Sequence, residues 1–151
     1  MRKILLGVLV VALVLLPMGC DLDIEGMIRD VVEEMIGDLT TTFTIRVISG
    51  VGGNATGLNV TGEYMVVTVE YDADTDSMEF VSQSFPVPLT EIELGEYIEF
   101  TVVDALAVSA MFMKKTEDET VLRVEIREGE VLIDWEETTE PWGAVLVTAF
   151  P

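Results

Sequence analysis

Leu122-Arg123-Val124-Glu125-Ile126-Arg127 alternates apolar and charged residues without a break. Only an extended chain sends successive side chains to opposite faces, so this stretch predicts a strand with one buried and one wet face. Such alternation belongs to antiparallel sheets, because the strands of parallel sheets are buried on both sides. Glu128-Gly129 then predicts a tight turn, and Val131, Ile133 and Trp135 supply the next inward-facing set, so the local topology is a hairpin.

Outward from this hairpin the same texture recurs. Strands are predicted over 41–48, 64–71, 78–85, 97–103, 107–113, 120–127, 130–136 and 144–150, where β-branched residues are frequent. Residues 72–77 and 114–119 are polar connections. Glycines at 50, 52, 53, 57 and 62, with Asn54 and Asn59 among them, predict a long loop or wide hairpin tip over 50–62. Met111, Phe112 and Met113 interrupt the alternation, which reads as a strand buried on both faces or an apolar patch for a partner, the buried strand being the simpler choice. Eight short strands with no helix between them make residues 40–151 an all-β domain, a sandwich or a barrel.

Before the strands the period changes. Ile24, Met27, Ile28, Val31, Val32, Met35, Ile36 and Leu39 recur at three- and four-residue spacing with acids between them, which predicts a short amphipathic helix within residues 20–39. Asp21 and Asp23 place negative charge at its N-terminus, where the helix dipole favours it, and Gly37 marks its end. Residues 1–19 read as an export signal: Arg2 and Lys3, then a hydrocarbon run from Ile4 to Leu16 too short for a permanent span, then Pro17-Met18-Gly19 before the single cysteine, Cys20. This resembles a prokaryotic lipobox. It implies diacylglyceryl attachment at Cys20, removal of the preceding peptide, and an extracytoplasmic domain anchored to the cell membrane by lipid; an uncleaved anchor and a plain secretory signal are the competing readings. With one cysteine no internal disulfide can form, so the domain relies on its core.

Eight basic residues stand against 28 acidic ones, a net charge of −20. Nucleic acid is excluded as a partner, since a phosphate backbone needs clustered Lys and Arg, and here only Lys114-Lys115 and Arg123 with Arg127 cluster. The excess acid also repels anionic headgroups, so the domain is expected to stand off the bilayer that holds its lipid.

Gly62-Glu63-Tyr64 opening a strand, Phe85-Pro86-Val87-Pro88, Val108-Ser109-Ala110 before a polar turn, the 122–131 hairpin and a closing Gly143-Ala144-Val145 strand follow one another in an order that resembles the extracytoplasmic domain of MmpS-type proteins, the membrane-anchored accessory partners of MmpL lipid exporters. The resemblance implies an immunoglobulin-like antiparallel β-sandwich with a non-enzymatic, accessory role in the envelope and a membrane-protein partner. That family carries a cysteine pair in these strands, which this chain lacks.

The chemistry-bearing residues are few. There is no histidine, no G-x-S-x-G and no P-loop, so the common nucleophile and zinc arrangements cannot be assembled, and among 28 acids no carboxylate pair can be singled out without geometry. Asp72, Asp74 and Asp76 alternate along a connection and are the candidate Ca²⁺ ligands. Ser77 stands where an EF-hand loop needs glycine and Gln83 where it needs glutamate, and an Asp-rich turn needs no metal to exist. Asn54 and Asn59 head two glycosylation sequons that also read as ordinary turn residues. Trp135, Trp142, Tyr64, Tyr71 and Tyr97 are candidates for a stacking platform. Trp135 shares the parity of Val131 and Ile133 and is expected in the core; Trp142, between Pro141 and Gly143, is the candidate for a glycan-binding surface aromatic.

Overall fold

The computed structural model describes residues 37, 39–50, 57–72, 75 and 77–151. The export signal, Cys20 and all but Gly37 and Leu39 of the predicted helix lie outside them, as do Asn54, Asp74 and Asp76. Among the described residues no helix is long and apolar enough to cross a membrane.

The strands are β1 (Thr41–Gly50), β2 (Gly57–Asp72), β3 (Ser77–Glu93), β4 (Tyr97–Ala105), β5 (Ala107–Lys114), β6 (Val121–Glu128), β7 (Val131–Thr138) and β8 (Ala144–Ala149). They form two antiparallel four-stranded sheets, A with order β4-β1-β6-β7 and B with order β3-β2-β5-β8. All eight predicted strands are present. Phe43, Ile45 and Val47 of β1, Leu122, Val124 and Ile126 of β6, Leu58 and Val60 of β2, and Phe112 of β5 are fully buried in one core between the sheets. Each such side chain contributes about 1.5–3 kcal/mol by leaving water.

Three expectations are corrected. Residues 57–62 are not loop: Leu58 and Val60 enter the core while the backbone pairs with β3, so burial overrides the turn-forming glycine and asparagine. Gly62 is needed there, because a Cβ on it would stand 2.3 Å from the Met111 carbonyl oxygen and 2.6 Å from the Phe112 ring. β5 is not buried on both faces: Phe112 points inward, and Met111 and Met113 point out to solvent.

The third correction concerns β7. The turn after Glu128 is tight, with Gly129 at a φ of 55°, as expected of the hairpin. A register shift then pairs Ile126 with Asp134 and Arg127 with Leu132, leaving Ile133 as the extra residue of a bulge. Beyond it Trp135 lies opposite Glu125 on the outer face, 45% exposed, and Val131 and Ile133 are exposed as well. Asp134 and Glu136 take the opposite parity, and their carboxylates accept the amide hydrogens of Thr148 (3.1 Å) and Leu146 (3.2 Å) on β8, the edge strand of the other sheet.

β3 continues through Pro86 and Pro88, which an edge strand tolerates because a missing amide costs no ladder bond on its open side. Asp104, at a φ of 52°, and the single residue Leu106 carry the chain from β4 in sheet A to β5 in sheet B.

Candidate functional site

The long hairpin β2–β3 outruns its neighbours. β5 pairs with β2 only from Val60 to Val67, whereas β3 stays paired to Asp72, so the distal part projects as a two-stranded ribbon. Where its inner face overhangs edge strand β4, the sheets part and leave a cleft of about 290 Å³. Its lining is Val66, Phe85, Val102 and Val103 with the ring of Tyr64; Thr68, Gln83, Thr101 and the Tyr64 hydroxyl are its polar groups. No lining residue is charged, in a chain of net charge −20.

The cleft is built on a rigid base. The Tyr64 ring stacks on Phe85 (centroids 5.0 Å, 14° between planes) and meets Phe100 at 5.1 Å, and Phe100 stacks on Phe112 at 6.1 Å. This file of four rings runs from the cleft into the core, each pair adding about 0.5–1.5 kcal/mol beyond its buried area. The arrangement suits an uncharged group: an aliphatic or aromatic side chain settles on the rings while the amide of Gln83 and the hydroxyls of Thr68 and Thr101 serve its polar ends. β4 beside it is a sheet edge, with backbone groups on the side away from β1.

The outer face of sheet A is a lattice of paired charge. Across it run Glu99, Arg46, Glu125 and Trp135 in one row and Tyr97, Ile48, Arg123 and Glu137 in the next. Arg46 binds Glu99 (2.7 Å), while Arg123 (2.8 Å) and Arg127 (2.9 Å) both grip Glu125, which is 6% exposed. Burial pushes the Glu125 carboxyl up, and hydrogen bonds from Arg127 and Arg123 more than offset it, holding it below the usual carboxylate range. The guanidiniums of Arg123 and Arg46 also cover the Trp135 ring (4.1 Å) and the Tyr97 ring (5.0 Å).

The predicted site residues are dispersed. Tyr64 faces the cleft, Tyr97 and Trp135 lie on the outer face of sheet A, Tyr71 sits on the ribbon and Trp142 in the 139–143 turn, so the five aromatics form no common platform. Trp142 is 51% exposed at a φ of 58°, its amide donating to the Thr116 carbonyl. Asn59 lies within β2, and its carbonyl accepts the Lys115 amide. Asp72 ends β2 and accepts the Thr75 hydroxyl at 2.7 Å. No binding motif in the sequence marks Gln83, Phe85 or Val103. The cleft arises because β2 and β3 are 16 and 17 residues long and β4 only 9, a mismatch that alternation does not encode.

Lys114 is fully buried. Its ammonium donates to the carbonyls of Asp118 (2.7 Å) and Thr139 (3.3 Å), tying together the loops that flank β8's first residue, and burial lowers its pKa against the opposing pull of Asp118 and Glu119. The chain matches no protein-family model, no curated protein and no solved structure.

Proposed function

We propose that this chain is a non-enzymatic, lipid-anchored protein of the cell envelope whose sandwich is a binding module, accessory to a membrane or transport assembly. The observation that carries the binding role is the uncharged cleft between β3 and β4, open beside a free strand edge. An extended, uncharged segment of a partner fits this site: its backbone pairs with β4 while one apolar side chain settles on Tyr64 and Phe85. The lipobox-like Leu16 to Cys20 supports the anchor. The order of features that resembles MmpS-type domains supports the accessory role. In this reading the fold is immunoglobulin-like in architecture, two antiparallel sheets face to face, with its own strand order.

Two measurements test it. Intact mass and membrane fractionation of wild type and Cys20→Ser should show a cleaved, lipidated, membrane-bound wild type and a mutant that loses all three. Titration of the mature chain with the uncharged aromatic probe N-phenyl-1-naphthylamine should give saturable fluorescence that Gln83→Trp, which fills the mouth of the cleft, abolishes. Equal binding by both proteins would remove the cleft from the reading.

A second reading is a surface module for a glycan or weakly held Ca²⁺; the half-exposed Trp142, held in a left-handed backbone, favours its glycan arm. Retention on an immobilised glycan lost in Trp142→Ala, or a calcium-dependent rise in melting temperature lost in Asp74→Ala, would support it.

A further inference from the structure

We infer that two copies of this chain pair face to face through the outer surface of sheet B. The inference is independent of the cleft, which opens on another side of the sandwich. On sheet B the outward positions of β2, β5 and β8 bring Glu63, Met111 and Leu146 into one row and Met65, Ser109 and Thr148 into the next. The projecting ribbon continues the same parity with Val69 opposite Phe80 and Tyr71 opposite Met78. Phe80 is 76% exposed, Leu146 58%, and Met65, Met111 and Met113 are more than a third exposed. An apolar surface this broad is rare on a protein that works alone, and methionine is the side chain that adapts best to a facing surface.

Area and charge select the occupant. Eight residues from each of β2, β3 and β5 and the six of β8, at about 3.4 Å per residue on strands about 4.8 Å apart, present about 500 Å², and the ribbon adds about 100 Å². Two copies therefore hide about 1,200 Å², the size at which specific interfaces begin. Each chain carries a net charge of −20, so copies repel one another wherever carboxylates would meet. From Met113 to Met78 this face carries one acid, Glu63, held by the Ser84 hydroxyl at 3.1 Å; Glu91, Glu93 and Lys115 sit at one end. A two-fold axis sets the face against itself, burying methionine on methionine and leaving Glu91 and Glu93 at the rim, while Glu63 keeps its bond from Ser84 within the face. A bilayer is a poorer occupant, because the ribbon's reverse side, with Glu70 opposite Glu79, would be brought to the headgroups.

The test uses the full chain in host membranes and after detergent extraction. Sedimentation should give twice the chain mass, and Met65→Glu and Leu146→Glu should each weaken the dimer at least about tenfold, since each sets like charges against one another in the interface. Both positions are solvent-exposed in the single copy, so circular dichroism should be unchanged. Met111→Cys should cross-link to its own copy with a short bis-maleimide, against a wild type whose cysteine is Cys20 alone. A wild type that remains monomeric at about 100 μM overturns the inference. So does a dimer indifferent to both glutamates, or a monomer in which the thiol introduced by Met111→Cys is shielded by residues 20–39 or quenched by lipid-borne probes.

Discussion

The Asp134 carboxylate on β7 accepts the amide hydrogen of Thr148 on β8 at 3.1 Å, and the two residues belong to different sheets. Glu136 repeats the arrangement with the Leu146 amide two residues away. The open edge of β8 is thus occupied by side chains of its own molecule, and one flank of the sandwich is closed while the β3–β4 flank stays open. Removing both carboxylates in Asp134→Ala/Glu136→Ala should cost about 1 kcal/mol per bond in chemical denaturation. It should also expose a pairing edge, read as concentration-dependent light scattering absent from wild type.

Gly62→Ala should destabilise the domain by about 1–3 kcal/mol, because the new Cβ meets the Met111 carbonyl and the Phe112 ring, neither of which can withdraw from the centre of sheet B. Gly95, with nothing within 4 Å of an added Cβ, is no control, since its φ of 84° penalises any side chain. Gly37, with open space and no positive φ, is the control, and Gly37→Ala should leave the denaturation midpoint unchanged within error.

Acid should cost wild type more stability than it costs Glu125→Gln. The Glu125 carboxyl is held below the usual range by Arg127 and Arg123, so its contribution is full above the ordinary glutamate value and is lost as pH falls through its lowered one. Denaturation midpoints of wild type and Glu125→Gln should therefore differ most near neutrality and converge in strong acid. A gap that is constant with pH would show that packing, not charge, sets the contribution.

Lys114→Met keeps the buried stem and removes the donor, leaving the Asp118 and Thr139 carbonyls without it. A loss of about 1–3 kcal/mol is expected. Amide exchange should accelerate over 115–120 and 139–143 and stay unchanged in β1 and β6.

Alternation alone located β6 and its inward residues, because Leu122, Val124 and Ile126 had no other way to be buried together. It fails one strand later for a local reason. A single extra residue at Ile133 reverses parity beyond it, so Trp135 faces out, and Asp134 and Glu136 turn toward β8. Strand β5 shows the converse: its alternation is intact, with apolar residues on both sides because its wet face is methionine. Gly57 to Gly62 has loop composition, and its pairing with β3, joined from Val60 by β5, makes it strand. The cleft is illegible because it depends on relative strand lengths in two different sheets; Tyr64 is a candidate stacking aromatic in the sequence, but its partners in the structure are Phe85 and Phe100 rather than the other four aromatics named with it.

Strand β1 is synthesised first, yet both of its neighbours come late: it is flanked by β4 and by β6, with Phe43 opposite Val102 and Glu128. The β2–β3 hairpin pairs locally and can form at once, while Thr41–Gly50 must wait with Phe43, Ile45 and Val47 unburied until Val121–Glu128 has emerged. With this strand order an adhesive strand stays exposed while β2 to β5 are made. Any holding factor that recognises unfolded segments should therefore bind β1 during that interval, and release it when β6 arrives.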